Sequence, residues 1–385
     1  MARRKICVVV TARPSYSRIR TALQAIRARP DLELQLVVAA SALLDRYGNA
    51  LQTIERDGFE VDQRVYMVLE GENLVTSAKS AGIGLSELAT AFENLRPDAV
   101  VTVADRYETI ATAVAGAYMN LPVVHVQGGE VTGSVDEKVR HAVTKLSNLH
   151  LVSTALARQR VIRLGEPEKT VIVTGCPSID IASQVAACPA MDFDPFEKYG
   201  GVGPRADLAN GYFVVLQHPV TTEYDEARRQ ITETLFAVTA LGLPVLWFWP
   251  NADAGSDATS KGIRMFRERE QPGNLHLFRN MAPEDFLRLL LHSTAIVGNS
   301  SVAIRECSFL GVPAVNIGSR QQGRERGRNV IDVDYDRTAI ADAIRRHMRA
   351  GRPAADRLYG DGHAGARIAD CLATADLPIE KHLTF

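Results

Sequence analysis

The chain has 385 residues, 46% of them hydrophobic and 23% charged, with a formal net charge of −1 at pH 7. That length carries two cores of ordinary domain size, and the near-neutral balance argues against a nucleic-acid or other general polyanion partner. Five cysteines (Cys7, Cys176, Cys188, Cys307 and Cys371) form no C-x-x-C pair, so zinc and dithiol chemistry have no support and a reducing compartment is expected.

The first apolar run, Ile6–Val10, is too short for a signal-peptide core, and no run reaches the about 18 apolar residues of a membrane span. A cytoplasmic protein with no membrane partner is expected. "ICVVV", "LQLVVAA", "DAVVTVA", "PVVHV", "LHLVS" and "VIVTG" follow one another as strand-length, β-branched runs. The stretches 17–28, 85–95 and 107–119 between them space apolar residues at helical period, the pattern of a parallel sheet with helical crossovers. Pro, Gly and Asp then accumulate without period over residues 186–211, which reads as a linker. "YFVVLQ", "PVLWFW", "NLHLF", "AIVGNS", "PAVNI" and "NVIDV" resume the alternation. The expected organisation is α/β throughout: a Rossmann-like doubly wound domain at 1–185, a second at 212–360, and a C-terminal segment, 361–385, that packs back on the first. Such domains hold ligands at the carboxyl ends of their strands, here with a cleft between the two domains.

No G-x-G-x-x-G follows the first strand and no G-x-x-x-x-G-K-[ST] occurs, so nicotinamide and common nucleoside-triphosphate readings lose their main support. No cofactor is expected. The histidines show no metal-ligand spacing, and no metal site is expected.

Polar clusters stand where strands end. Arg13 to Ser17 follow the first strand, Asp105 and Arg106 follow "DAVVTVA", and Gln127, Gly128, Gly129, Glu130 and Asp136 follow "PVVHV". His218 follows "YFVVLQ", Ser300 and Ser301 follow "AIVG", and Arg320 follows "PAVNI". Any one cluster is explained by N-cap and turn chemistry; recurrence at strand ends of both halves points to ligand contact. In "GNSSVAIREC", two serines at the start of an expected helix offer hydroxyls and free N–H groups to a diphosphate, and Glu306 on the same helix can accept from ribose hydroxyls or pair with a neighbouring arginine. Guanidiniums such as Arg320 suit phosphate oxygens by fork geometry. Arg326 and Arg328 read as a solvated basic loop. His218 divides evenly between a structural role and a place at the ligand. Asp105 reads as a helix N-cap, as a carboxylate whose pKa is set by burial and by Arg106, or as both.

Taken together, "TARPSYSRI", "ADRYETIATA", "HVQGGEVTGSVDEKVRHAVTKLSNLHLVST", "GCPSID", "QHPVTTE", "PNADAGS" and "GNSSVAIRECSFLGVPAVNIGSRQQGRERG" resemble the hydrolysing UDP-N-acetylglucosamine 2-epimerases, in family order from about Lys5 to about Val333. The resemblance implies two GT-B-like domains, a UDP-sugar substrate, no nicotinamide, and a homodimer or dimer of dimers of the sialic-acid type. It implies loss of UDP with removal of the C2 proton, then hydration of the 2-acetamidoglucal to N-acetylmannosamine. Asp105 and Asp136 fall on the family's catalytic carboxylates and Arg106 beside the first of them. Arg13, Ser17, Ser300, Ser301 and Arg320 fall on substrate contacts, with His218 against the diphosphate, Glu306 on the ribose, and Asn251 and Asp253 on the second domain's wall.

Two positions depart from the family. Ala104 replaces its usual glycine, and Gln127 stands where a catalytic glutamate is often found. An amide orients a hydroxyl or water but shuttles no proton near neutral pH, so the role moves to Glu130, Asp136 or Glu137, or is lost. Open alternatives are the same chemistry on a 2,4-diacetamido-trideoxy sugar nucleotide, a GT-B glycosyltransferase, and a non-catalytic sugar-nucleotide sensor. Arg264 and Arg267 read as a basic exposed helix face.

Overall fold

In the computed structural model, residues 3–45, 50–70, 74–103, 106–131, 135–220, 222–250, 256–382 and 384 are described. They divide into two compact units, one of Met1–Glu130, Val135–Asp180 and Tyr359–Phe385, the other of Val131–Ser134 and Ile181–Leu358.

Every strand-length run read from the sequence is a strand. In unit 1 these are β1 (Arg4–Val10), β2 (Leu32–Ala39), β3 (Gln63–Val65), β4 (Ala99–Val103), β5 (Val123–Val126), β6 (Leu149–Val152) and β7 (Val171–Val173). They pair in parallel in the order β3-β2-β1-β4-β5-β6-β7. Strands β4, β5 and β6 are buried at every position, as a sheet covered on both faces requires. Only β3 gave no sequence signal: three residues at the sheet edge, two of them exposed, bury too little to show a pattern.

Unit 2 holds β8 (Phe213–Leu216), β9 (Val245–Phe248), β10 (Leu275–Phe278), β11 (Ala295–Gly298), β12 (Ala314–Ile317) and β13 (Val330–Val333). Their order is β10-β9-β8-β11-β12-β13, again parallel. Each sheet reverses direction of growth beside its first strand, β1 next to β4 and β8 next to β11, which opens a switch point at the carboxyl edge. Among the described residues no helix is long and apolar enough to cross a membrane.

Three boundaries differ from expectation. The helix expected from residue 85 begins at Leu74, because "KSAGIGL" hides its period behind glycines. At Gly84 the helix packs closely on the end of the Met67 side chain, which would have to shift to admit a Cβ. The stretch 186–211 is no free linker. Asp194 caps a short helix, Pro195–Tyr199, by accepting from the N–H groups of Phe196 (2.7 Å) and Glu197 (3.1 Å). Met191, Phe196, Tyr199 and Leu208 of that stretch pack on the unit 2 core. Apolar residues scattered among turn residues gave no period to read. The division between units falls at Asp180 and Ile181, inside the helix Pro177–Ala187.

The C-terminal helix Ala364–Thr374 belongs to unit 1, where Ile368, Ala369 and Leu372 join the core formed with Ile19, Leu23 and Ile26. Asp180 fixes its first turn. The buried carboxylate accepts from Thr21 Oγ1 (2.8 Å) and from the backbone N–H groups of Ala364 (2.8 Å) and Gly365 (2.7 Å). Burial pushes the Asp180 carboxyl up, against the pull of those donors. Asp180→Ala leaves two helix-start N–H groups without their acceptor, and we expect a loss of about 2–4 kcal/mol. Urea denaturation checks it: the midpoint falls with the slope unchanged.

Glu166 is a second buried carboxylate, 1% exposed. Burial pushes its pKa up, but hydrogen bonds from His150 (3.0 Å), Lys145 (2.7 Å) and Lys381 outweigh that and bring it to about 2. Since the folded value lies below the ordinary 4.5, this stabilisation is complete above that pH and is lost as the pH falls towards 2. Melting curves of Glu166→Gln and the unaltered protein should therefore be well separated at pH 7 and converge in acid.

Candidate functional site

At the carboxyl edge of unit 1, the chain leaves β1 into the short helix Arg13–Ser17 with Pro14 in its first turn. Arg13 is half-buried, and burial pulls its guanidinium pKa down. Ser17 donates its hydroxyl to the Arg13 carbonyl at 3.4 Å, within the same turn. After β4, Ala104 and Asp105 lie outside the described residues. Arg106, expected to act on Asp105, donates from Nε to Glu108 Oε1 at 2.9 Å. Glu108 is 1% exposed, and among the described residues its Oε2 has no hydrogen-bond partner. Sequence reading passed over Glu108 because it sits among helix-start residues, where a carboxylate is ordinary.

The loop after β5 answers for Gln127. Its φ of 69° places a non-glycine residue in the left-handed region. There its N–H donates to Leu151 O (2.9 Å) on the adjacent strand, extending the ladder while the side chain turns inward. The side chain is buried: Nε2 donates to Cys176 Sγ at 2.9 Å and Oε1 has no hydrogen-bond partner. Cys176 Sγ also meets Ser178 Oγ at 3.0 Å. Gly129, at φ 75°, lets the loop run against Ala157, where a Cβ would lie 2.3 Å from the carbonyl oxygen.

That turn delivers Glu130 to a buried place, 4% exposed. Ser153 Oγ donates to its Oε1 at 3.0 Å, and Arg140 Nη1 donates to its carbonyl at 2.6 Å. Arg140, itself 1% exposed, also reaches Glu137 Oε2 at 2.9 Å. Asp136 and Glu137 occupy the first turn of the helix Val135–Leu146, both half-buried and favourably placed at a positive helix terminus. A neutral amide, a buried carboxylate and a helix-start carboxylate thus share one strand, loop and helix turn. Ser153 and Arg140 were missed; only "RH" within the longest motif marked Arg140.

At the carboxyl edge of unit 2, Asn299 ties the loops together. It is fully buried, accepts the His218 N–H through Oδ1 (2.7 Å) and donates from Nδ2 to the His218 carbonyl (2.8 Å). Its own carbonyl accepts from Arg320 Nη1 (3.3 Å) and Gln321 Nε2 (2.8 Å). The loops after β8, β11 and β12, carrying His218, Ser300 and Arg320, are thereby joined. Gly298, at φ 135°, permits the approach, since a Cβ there would sit 2.3 Å from Leu216 O. Ser319 donates to Glu223 Oε1, and Gln230 donates to Glu223 Oε2 at 2.7 Å. Asn299 and Glu223 both stood inside quoted motifs, but nothing local distinguishes a loop-tying amide or carboxylate from an ordinary turn residue.

The helix expected after Ser300 is broken. Ser300 caps a single 3₁₀ turn, Ser301–Ala303, and a four-residue α-helix, Glu306–Phe309, follows a kink at Ile304 and Arg305. Ala303, Ile304 and Arg305 bury their side chains, and the Arg305 N–H still donates to Ser301 O at 3.0 Å. Such short pieces carry a weaker macrodipole than the expected helix, and the donors offered here are hydroxyls and local N–H groups. Glu306 begins the second piece, and among the described residues its buried Oε2 has no hydrogen-bond partner. Asn251 and Asp253 lie outside the described residues.

A family model described as UDP-N-acetylglucosamine 2-epimerase matches residues 24–373. A Legionella pneumophila protein named UDP-N,N'-diacetylbacillosamine 2-epimerase (hydrolyzing) is 32% identical over 374 residues, 97% of each chain. A Neisseria meningitidis UDP-N-acetylglucosamine 2-epimerase is 29% identical over 94% of this chain and 91% of its own. A solved structure of a Neisseria meningitidis UDP-GlcNAc 2-epimerase bound to UDP-GlcNAc superposes with a TM-score of 0.79 at 16% identity, covering 96% of this chain and 99% of that one. The expected GT-B-like pair of α/β domains is the fold observed.

Asn299→Ala removes both partners of the buried His218 backbone, and we expect a loss of about 2–4 kcal/mol of stability. Urea denaturation measures it; a change below about 0.5 kcal/mol, the range of a neutral surface substitution, would show that Asn299 does not tie the loops.

Proposed function

The chain belongs to the UDP-N-acetylglucosamine 2-epimerase family, and we propose that it is a hydrolysing member, converting UDP-N-acetylglucosamine and water to N-acetylmannosamine and UDP. In the first step a base takes the proton from C2 as the C1–O bond breaks and its electron pair leaves with UDP, giving 2-acetamidoglucal. In the second, water adds across the double bond: hydroxyl to C1, proton to the face of C2 that yields the 2-epimer.

A C2 proton is weakly acidic, so most of the rate must come from stabilising the departing diphosphate. Unit 2 supplies that part: Ser300, Ser301 and Arg320 for the diphosphate with His218 beside them, and Glu306 for ribose hydroxyls. Arg13 and Ser17 of unit 1 add to it. Asp105 and Asp136 act as acid and base, with Arg106 beside the first and Asn251 and Asp253 on the sugar-nucleotide wall.

The observation that carries the reading is Glu130. Gln127 shuttles no proton, and three residues on stands a buried carboxylate held by the Ser153 hydroxyl, able to take and return one. We assign Glu130 the acid–base role that an amide at position 127 leaves open, and Gln127 the positioning of a substrate group. A second reading has one specific support. The Legionella relative is named for a diacetylated substrate.

The test is an NMR time course in D₂O with each sugar nucleotide, for the unaltered protein, Gln127→Glu and Glu130→Gln. We expect UDP and a 2-epimer deuterated at C2 from the unaltered protein, with kcat lowered about 10²- to 10⁴-fold in Glu130→Gln. Accumulating glycal would assign the protein elimination without hydration. UDP release only with an acceptor present would make it a glycosyltransferase, and tight UDP binding without turnover a sensor.

Exposed apolar side chains of unit 1, Tyr66 (69%), Leu74 (88%), Val75 (63%) and Tyr118 (82%), support a homo-oligomer. Light scattering should give a dimer or dimer of dimers, and Leu74→Glu should weaken it.

A further inference from the structure

The helix Val135–Leu146 joins two places in unit 1. Its first turn carries Asp136 and Glu137, and Arg140 on it holds the Glu130 carbonyl at 2.6 Å. Its last turn ends in a socket filled by the C-terminal tail. Lys381 Nζ donates to Thr144 O (3.1 Å) and Ser147 O (2.5 Å), and pairs with Glu166 Oε2 at 2.5 Å.

The terminal carbonyls of a helix have no partner within it, and a cation among them satisfies them and meets the negative helix end. Lys381 does both. Glu166 and His150 beneath it are buried at 1% and 0% exposure, so the ammonium also compensates a carboxylate far from water. Lys145 adds a second cation, reaching Glu166 Oε1 at 2.7 Å and Leu164 O at 3.1 Å. The tail is gripped on either side of the lysine: Asn148 Nδ2 donates to Pro378 O (2.8 Å) and Ile379 O (3.2 Å), and Thr384 Oγ1 to Gly165 O (3.1 Å).

Thr144 links the socket to the other candidate groups. Its carbonyl takes Lys381, while its hydroxyl meets His125 Nδ1 at 3.2 Å, on β5 two residues before Gln127. One side chain of the tail therefore bears on the helix of Asp136, on the Glu130 loop through Arg140, and on the strand end of Gln127.

We propose that Lys381 is a positioning residue for the acid–base groups of unit 1, holding the far end of the helix that carries Asp136 and fixes the Glu130 loop. This rests on the reading that those carboxylates act on the substrate. At 12 residues the helix is about 18 Å long, so a small tilt at the released end displaces Asp136 by about the same distance. Misplacement on the order of 1 Å costs up to about 10²-fold in rate.

The test uses the full chain with Lys381→Met, which keeps the apolar stem, and Lys381→Arg, which keeps the charge. We expect kcat for UDP release to fall about 10- to 100-fold in Lys381→Met, KM and UDP affinity to stay within about twofold, since unit 2 is untouched, and Lys381→Arg to recover most of kcat. A kcat in Lys381→Met within about twofold of the unaltered protein overturns the proposal, as does a loss carried by KM alone. Hydrogen exchange at residues 139–143, whose N–H groups bond within the helix, gives a readout independent of turnover: faster exchange there in Lys381→Met supports the proposal, and unchanged protection overturns it. Should Lys381→Met not fold, Thr384→Val, which loosens the tail at Gly165 without touching β5, is read the same way. If the unaltered protein turns over neither sugar nucleotide, the proposed function falls while the exchange result still decides on Lys381.

Discussion

Both units depend on one constraint: a parallel sheet covered by helices on both faces has no free surface except the ends of its strands. Central strands such as β4, β5, β8 and β11 spend nearly every residue on burial. Polar side chains therefore collect where the chain leaves the sheet, and the switch points beside β1 and β8 are where neighbouring loops diverge enough to hold a ligand. The placement of Arg13, Gln127, Glu130, His218, Ser300 and Arg320 follows from that constraint before any of them has a role.

What the constraint leaves open is how strand-end loops are kept in place, and the two units solve it differently. Unit 2 uses one buried amide: Asn299 takes both backbone groups of His218 and offers its own carbonyl to Arg320 and Gln321. Unit 1 uses charge. Arg140 reaches back to the Glu130 loop, and at the other end of the same helix two lysines converge on Glu166. A buried carboxylate facing two cations is costly to leave half-paired, which makes such a network a specifier of one arrangement rather than a large source of stability.

Gln127 joins local conformation to chemistry. Left-handed backbone at a strand end, a glycine pair after it and a thiol beneath it hold an amide there. An amide keeps the orienting capacity of the site and gives up proton transfer, so Glu130, buried and held by Ser153, becomes the group on which the hydrolysing reading turns.

The amino-acid sequence by itself determined the α/β class, twelve of the thirteen strands and the grouping of polar residues at strand ends, because burial on two faces writes continuous β-branched runs into the chain. It also singled out position 127, since a neutral amide ahead of a run of carboxylates is legible without coordinates. Only tertiary structure decided the rest. The break in the helix after Ser300 has no helix-stop residue to mark it in the sequence. The stretch 186–211 packs on unit 2 through scattered apolar residues that show no period. The roles of Asn299, Glu166 and Lys381 arise from contacts between residues far apart in the chain, up to 237 positions for Lys381 and Thr144. A local pattern carries no trace of a partner that only folding brings within 3 Å.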